Sequence, residues 1–288
     1  VGDVPAGAGT DGRGLIIEAQ PGQGTLAIST VPVSANKGPV MLSVNVRADA
    51  EGCSAALAAL NSPIDGQLGY SNASGADVPV GEWGKFILIY DPPADALQPG
   101  LQIALPDSAA GPVKIYFDNL IISELSESEF ENVSLDVDGS FDGDTSGLLK
   151  NVMAESGGPS VQFPDAAGGN NMLLSLSASN DASNIGIFAS ELQGGFPCML
   201  KASVDARLFD GTGGVTALVI TNGNGNVGVF VNNSALAGDE FQEITIGGGF
   251  AAENPDFPVL CVVQNGGPGV ESSVLVDELA LKKVVGGM

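Results

Sequence analysis

Short runs in which apolar and polar residues alternate recur along the chain, separated by glycine and proline. From Leu42 to Val46 the apolar residues fall at every second position, which places them on one face of a β-strand. Residues 86–90 are apolar throughout, as expected for a strand covered on both faces. No segment has convincing helical periodicity. The pattern predicts an all-β protein with many turns.

The runs predict about eight strands in each half of the chain. Those of the first half lie at residues 15–18, 25–31, 40–48, 55–60, 83–90, 101–105 and 113–122. Those of the second half lie at residues 133–136, 172–177, 185–190, 198–208, 216–221, 227–232, 241–246, 260–263 and 273–281. This number and spacing of strands predict a β-sandwich or jelly roll in each half.

The two halves repeat one pattern at an offset of about 158 residues. The matched positions are Met41 with Met199 (199 − 41 = 158), Trp83 with Phe241 (158), Gly14 with Met172 (158) and Asp118 with Asp277 (159). We therefore predict two tandem modules, residues 1–125 and 132–288, joined by an acidic linker at residues 126–131. Two copies make a tandem pair and not a solenoid, whose short units need several neighbours.

The first module lacks the counterpart of the second module's opening segment, residues 132–141, which would map to positions before residue 1. A sandwich without its first strand has an open edge. Residues 1–13 could fold back to fill it, the linker could be shared, or a strand from another copy could enter by β-strand addition. We favour the third, which predicts a homopolymer. The expected assembly residues are at the two termini: Val1, Gly2, Asp3, Val4, Val284 and Val285.

The charge balance limits the partners. The chain has 10 Lys+Arg against 34 Asp+Glu, a net charge of −24, so nucleic acid and anionic membranes are unsuitable partners. The acidity provides solubility or adaptation to salt, or else it collects divalent cations. No apolar run of 18 residues is present, so no membrane insertion is expected. The chain begins at Val1, from which we expect a secretion signal to have been removed and the protein to be extracellular or at the cell surface.

The cysteines are Cys53, Cys198 and Cys261. They have no metal-ligand spacing, and the chain contains no histidine, so a structural zinc site is not expected. Cys198 and Cys261 either form a disulfide or are two small buried hydrophobic residues, while Cys53 has no assigned partner.

The order of the motifs resembles that of a known family. The second module opens with Asp138-Gly139-Ser140-Phe141-Asp142 and closes with Val276-Asp277-Glu278-Leu279, while the first module closes with Phe117-Asp118-Asn119-Leu120. This layout resembles the carbohydrate-binding-module jelly rolls of the galactose-binding-like superfamily, which open with Asn-Gly-x-Phe-Glu. The resemblance implies a structural calcium held by Asp142 and Asp277, with Asp118 as the counterpart in the first module; oxygen ligands of this kind suit calcium. Alternatively, Asp277 hydrogen-bonds a neighbouring loop without any metal.

Glycan binding, which the resemblance also implies, usually needs exposed aromatic rings on which a sugar can stack. The chain has one Trp and three Tyr. We expect Trp83, Tyr90 and Tyr116 to lie in the core, and Phe241, the counterpart of Trp83, stands at a position that the family tends to use structurally. This leaves Tyr70, in a predicted polar loop, as the candidate ligand-binding residue.

No catalytic constellation is apparent. Without histidine a Ser-His-Asp or Cys-His site is excluded, and no glycine-rich phosphate loop lies between a strand and a helix. We therefore predict a secreted, non-enzymatic structural protein that forms a filament, sheath or matrix. The alternative is an extracellular carbohydrate-binding, lectin-like protein. A concave sheet face with two exposed aromatic residues would favour the alternative, and a face of small aliphatic residues would favour assembly.

Overall fold

The fold is described from a computed structural model of the chain. The structure describes residues 2–6, 12–20, 25–29, 33–34, 38–51, 53–60, 70–90, 96–104, 111–136, 139–140, 172–176, 182–187, 189–192, 198–211, 215–221, 227–236, 240–250, 260–265 and 272–285. The chain divides into unit 1, Val1–Glu127 with Asn226–Phe230, and unit 2, Ser128–Gly225 with Val231–Met288.

The strands before the division are β1 (Gly2–Asp3), β2 (Arg13–Ala19), β3 (Thr25–Ser29), β4 (Val33–Ser34), β5 (Val40–Ala48), β6 (Ser54–Leu60), β7 (Tyr70–Asp77), β8 (Gly84–Tyr90), β9 (Ala96–Ala104) and β10 (Val113–Glu124). In unit 1 one antiparallel sheet has the order β1-β2-β10-β5-β8, and a second has the order β3-β9-β6-β7, with β4 also on β9.

The strands after it are β11 (Phe130–Val133), β12 (Met172–Leu176), β13 (Ala182–Ile187), β14 (Cys198–Gly211), β15 (Val215–Thr221), β16 (Val227–Ala235), β17 (Gln242–Phe250), β18 (Leu260–Asn265) and β19 (Ser272–Val284). Short 3-10 helices lie at Glu127–Glu129 and Ser190–Leu192. In unit 2 one sheet has the order β17-β14-β19-β11, with β12 also on β19. The other has the order β13-β18-β15-β16, and residues 231–235 of β16 belong to this unit.

The all-β prediction and the tandem repeat are therefore confirmed. The core of unit 1 follows the predicted alternation: Leu42, Val44 and Val46 of β5 are buried beside Ile115 and Phe117 of β10. Burying side chains of this size stabilises a fold by about 1.5–3 kcal/mol each. The prediction that residues 86–90 are covered on both faces is confirmed for residues 86–89, all of which are buried.

The two units share an unusual bulge in their last strand. In β10 the pairing with β5 shifts register after Asp118, and in β19 the pairing with β14 shifts after Asp277. Asn119 and Glu278, the residues that follow, both have left-handed backbones, with φ of 51° and 49°. Such a conformation is uncommon for residues other than glycine. Its presence at matching positions makes Asp118 and Asp277 structural equivalents, 159 residues apart.

This equivalence corrects one of the sequence matches. Asp118 lies opposite Asn45 of β5, while Asp277 lies opposite Asp205 of β14, so β5 corresponds to β14 at an offset of 205 − 45 = 160. The predicted offset of 158 at Met41 was therefore two residues short. An even shift keeps every side chain on its own face of the sheet, so an alternating pattern cannot reveal it. Arg47 consequently corresponds to Arg207.

Four segments differ from the sequence prediction. Tyr70 was placed in a polar loop, but it begins β7, where it lies opposite Leu60 of β6. The opening strand of unit 2 is β11 and not residues 133–136, so residues 130 and 131 of the predicted linker belong to a sheet. The two-residue strands β1 and β4 were not predicted. Each difference arises where pairing with a neighbouring strand outweighs weak local propensity.

The residues near the start of the chain fold back on unit 1. Gly2 and Asp3 pair with Gly14 and Arg13 of β2, and Val4 N donates a hydrogen bond to Gly12 O at 2.9 Å. The predicted entry of a donor strand from another copy has no support in these contacts, because they lie within the unit. At the other end of the chain, Val284 is buried and lies opposite Phe130, and Val285 N donates to Glu129 O. Val1 lies outside the described residues.

The second half of β10 is nevertheless more open than its counterpart in β19. In unit 2, β11 pairs with Leu281–Val284, and Leu279 N donates to Gly139 O at 2.9 Å. Leu279 is only 4% exposed. In unit 1, β2 pairs with residues 113–117 of β10, and beyond them Leu120, Ile121 and Ile122 are 40%, 50% and 38% exposed. Among the described residues, the second half of β10 is therefore exposed at residues 120–122.

Candidate functional site

An aromatic face on unit 2 combines exposed rings with charged groups. On β14, Val204 and Ala206 are buried, whereas Asp205 and Arg207 between and after them are half-buried. Because neighbouring strand residues point to opposite faces, Asp205 and Arg207 lie on the face away from the core. Phe209 follows by two residues, at the point where the pairing of β14 with β19 shifts register, and its side chain is 47% exposed.

Phe241 brings a second ring to this face. It directly precedes β17, whose first residue, Gln242, lies opposite Ala206, so Phe241 is beside Arg207. The guanidinium carbon of Arg207 is 5.2 Å from the centre of the Phe241 ring, within the range of a cation–π contact. The ring is still 40% exposed. Arg207 is therefore held against one part of the ring while another part faces solvent.

Carboxylates lie in the adjoining row of the same sheet. Asp205 is opposite both Glu243 of β17 and Asp277 of β19, so three acidic residues cross the sheet next to Arg207. We use the name aromatic face for Phe209, Phe241, Arg207, Asp205, Glu243 and Asp277 together. These groups accept and donate hydrogen bonds beside two apolar rings.

The corresponding face of unit 1 is arranged differently. Arg47, the counterpart of Arg207, lies opposite Tyr116 of β10, and Trp83 matches Phe241. Trp83 is half-buried, and its Nε1 donates a hydrogen bond to Pro5 O at 3.2 Å. Where unit 2 has Phe209, unit 1 has Asp49, whose Oδ1 accepts a hydrogen bond from Lys114 N at 2.8 Å. In unit 1 the aromatic residue therefore anchors the fold-back of residues 2–6.

The sequence analysis gave Phe241 a structural position as the counterpart of Trp83, but its ring is 40% exposed. Trp83 differs because residues 2–6 partly cover it. Phe209 was not singled out at all. Its signal in the sequence is its position two residues beyond Arg207, on the polar side of an alternating strand. For Tyr70, the predicted ligand-binding residue, the side chain lies outside the described residues.

The aspartates assigned to calcium hold the bulges. Asp118 Oδ1 accepts a hydrogen bond from Asn119 N at 2.7 Å, and Asp277 Oδ1 accepts one from Glu278 N at 2.8 Å. The contact of Asp277 is to the residue that follows it, so the alternative of a hydrogen bond to a neighbouring loop without metal stays a prediction. Asp118 Oδ2 is buried without a hydrogen-bond partner. Within the described ranges, no three metal-ligating side chains come together. Asp142 lies outside those ranges, so calcium in unit 2 stays a prediction.

Two cysteines are buried and unpaired. Cys198 is a free thiol, so the disulfide with Cys261 is not formed. The other alternative, a small buried hydrophobic residue, describes it better. Burial raises the pKa of Cys198 from 9.0 to about 11, although nearby Lys283 acts in the opposite direction. Burial, with a smaller contribution from Asp49, also raises the pKa of the free Cys53 thiol.

Among the described residues, no helix has the length and apolar character needed to cross a membrane.

Comparison with known proteins gives similarity at the level of fold. No family model and no curated protein sequence matches the chain. Among solved structures, the chain is similar to the CBM22-1–CBM22-2 tandem domain of Paenibacillus barcinonensis Xyn10C, with 12% identity, 93% of each chain covered and a TM-score of 0.36. The single CBM22-1 xylan-binding domain of that protein is 13% identical over 55% of this chain and 99% of its own, with a TM-score of 0.32. The surface glycan-binding protein PbSGBP-B from Prevotella bryantii is 12% identical over 81% and 77%, with a TM-score of 0.29.

Proposed function

We propose that this protein is a non-catalytic carbohydrate-binding protein, extracellular or at the cell surface, that binds neutral polysaccharide through the aromatic face of unit 2. The observation that carries the proposal is a pair of exposed rings: Phe241, against the guanidinium of Arg207, and Phe209, two residues beyond Arg207 on β14. Large exposed apolar side chains beside a few oriented polar groups are typical of binding sites. Two exposed aromatic side chains distinguish this part of unit 2 from a face of small aliphatic residues, which was the feature expected of an assembly surface.

The chemistry of the face suits a sugar. The apolar C–H side of a pyranose ring stacks on an aromatic side chain, which buries apolar area on both. Hydroxyl groups at the rim of the sugar both donate and accept hydrogen bonds, so they suit the carboxylates of Asp205 and Glu243 as well as the guanidinium of Arg207. The solved structures named above include carbohydrate-binding proteins, but the support here comes from the rings and charges of this chain.

Charge favours a neutral ligand. Asp205, Glu243 and Asp277 lie in one row of the sheet next to a single arginine, Arg207, and the chain carries a net charge of −24. A polyanion such as a uronic acid polymer or a sulfated glycan would meet like charges at short range, which disfavours binding. A neutral polysaccharide meets no such repulsion.

The test is binding of soluble neutral polysaccharides, for example xylan and a β-glucan, measured by affinity electrophoresis and by titration calorimetry. We expect the Phe209→Ala/Phe241→Ala variant to bind at least tenfold more weakly than the wild type, since each aromatic contact contributes about 1 kcal/mol. Both rings are exposed, so the melting temperature should stay within about 2 °C of the wild-type value.

The matched control is Val285→Ala, which removes an exposed apolar side chain of unit 2 that is not part of the aromatic face. It should bind like the wild type. Equal affinity of the double Phe variant and the wild type would contradict the proposal. So would absence of binding to every neutral polysaccharide in the set, or stronger binding to a polyuronate than to any of them.

A further inference from the structure

The open edge of β10, residues 120–123, offers a second binding site, unrelated to the aromatic face. Leu120, Ile121 and Ile122 form a contiguous exposed apolar stretch in the middle of a strand. β5 pairs with Ile121, Ile122 and Ser123 along one edge, and β2 reaches only to Phe117 on the other. Exposed apolar strand edges are templates for pairing with another strand.

The equivalent edge in unit 2 is occupied, and the strand bound there indicates what kind of segment could bind to β10. Residues 281–284 of β19, which correspond to residues 122–125 of unit 1, are covered by β11, with Val133 opposite Leu281 and Phe130 opposite Val284. By the offset of 159, Leu281 corresponds to Ile122, so the same pairing on unit 1 would begin at Ile122. The fitting occupant is thus one antiparallel strand with an apolar residue at each end of a four-residue pairing.

The acidic residues near the edge indicate which charge the bound strand should carry. Glu124, Glu127 and Glu129 follow the open stretch and are exposed, whereas β11 itself contributes another acidic residue, Glu131. A strand that carries basic residues in place of these acids would gain electrostatic complementarity and associate faster. A second copy of this chain, with its net charge of −24, would be repelled.

We propose that the edge of β10 accepts one antiparallel strand from a partner polypeptide, which pairs from Ile122 to Leu125 and continues over the exposed residues 120 and 121. This strand is an extended segment with apolar residues spaced as in β11 and basic residues between or beside them. Main-chain hydrogen bonds provide the affinity, and the exposed isoleucines provide contacts for alternate side chains of the strand. The site does not depend on the proposed carbohydrate binding.

The probes are synthetic peptides that span residues 128–136 of this chain, added to the intact protein and measured by titration calorimetry at 150 mM salt. One peptide has the native sequence, and one, the Lys peptide, carries E129K and E131K. The third, the Pro peptide, carries E129K, E131P, N132P and S134K, so that its charge equals that of the Lys peptide while the two prolines remove backbone donors from the strand. We expect the Lys peptide to bind with one site per chain and at least threefold tighter than the native peptide. The Pro peptide should not bind.

On the protein, Ile121→Lys places a charge on the exposed edge. This variant should lower the affinity for the Lys peptide at least tenfold. Val80→Lys is the matched control, because Val80 is an exposed apolar residue of unit 1 outside β10, and it should leave the affinity unchanged. The proposal is overturned by no saturable binding up to millimolar peptide, by a Pro peptide that binds as well as the Lys peptide, or by unchanged affinity in Ile121→Lys. A wild-type dimer in sedimentation that Ile121→Lys abolishes would assign the edge to a second copy, which also overturns it.

Discussion

In unit 2 the last strand is covered by β11 and Gly139, and the aromatic face carries two exposed rings. In unit 1 the matching strand has an exposed edge, and the matching aromatic residue, Trp83, holds Pro5. The two units thus share one arrangement of strands, but the ring of Phe241 is exposed in unit 2 while that of Trp83 holds the N-terminal segment in unit 1. The difference shows that a residue's role in a repeated module depends on which segment lies over it, because the sheet beneath is the same.

The largest effect is expected where unit 2 receives its opening segment. A Cβ added to Gly139 would lie 1.9 Å from Leu279 O, a main-chain atom that cannot rotate away. Gly139→Ala should therefore lower the free energy of unfolding by about 3 kcal/mol, measured by urea denaturation followed by circular dichroism. Gly111→Ala, where nothing lies within 4 Å, is the control. Equal stability of the two variants would contradict the close approach.

Trp83 is the only tryptophan, so its fluorescence reports on unit 1. The unit 1 variant that matches Gly139→Ala is Gly14→Ala, whose Cβ would lie 2.4 Å from Phe117 O. Gly14→Ala should destabilise unit 1 and therefore lower the urea concentration at which the tryptophan fluorescence reports unfolding.

The next effect is a loss of stability in unit 2 at high pH. Because Cys198 has a folded-state pKa of about 11 against 9.0, its thiol keeps a proton that the unfolded chain gives up. Stability is therefore fully present below pH 9 and falls as the pH rises towards 11, by up to about 2 kcal/mol. Cys198→Ala should show a shallower fall in urea midpoint over that range. If the wild type and the variant have parallel profiles, the thiol does not contribute.

In unit 1, Trp83→Phe keeps an aromatic ring but removes the donor to Pro5 O. We expect a loss of about 1 kcal/mol, together with faster hydrogen exchange at Val4 N, whose bond to Gly12 O belongs to the same fold-back. Phe241→Leu is the matched change in unit 2 and should alter neither quantity. Unchanged exchange at Val4 in Trp83→Phe would show that the ring is not an anchor.

The smallest effect concerns Glu191, whose Oε2 accepts a hydrogen bond from Ser134 N at 2.6 Å, just after β11. This bond lowers the carboxyl pKa below its ordinary value of 4.5. The contribution is present above pH 4.5 and disappears as the pH falls through the lowered pKa. Glu191→Gln should reduce the acid dependence of the melting temperature slightly. If the melting temperatures of the wild type and the variant depend on acid pH in the same way, the Glu191–Ser134 hydrogen bond does not contribute to stability.

Much of the fold followed from the sequence. The run from Val40 to Ala48 was predicted with its observed bounds, because its alternation reports directly which side chains are buried. β7, which starts at Tyr70, was missed because its serines, glycine and asparagine carry no such alternation. The offset of 160 at β5 was hidden because a two-residue slip preserves the pattern.

The site was less predictable than the fold. Periodicity identifies the face on which Phe241 lies, but exposure depends on whether another segment covers that face, and this is a tertiary fact. The N-terminal segment looked like a poor strand because of its glycines, yet two residues of β1 and one indole bond suffice to hold it.

The exposed edge of β10 also has a kinetic consequence. If β11 paired with β10 in the register that it uses on β19, Phe130 would lie opposite Leu125 and Val133 opposite Ile122, leaving residues 126–129 as a four-residue hairpin loop. Such a local hairpin can form as soon as residue 133 is synthesised, whereas the native partner of Val133, Leu281, is 148 residues further along. Closing the longer loop is slower. We expect refolding to include a phase in which β11 leaves a non-native hairpin before unit 2 can be completed.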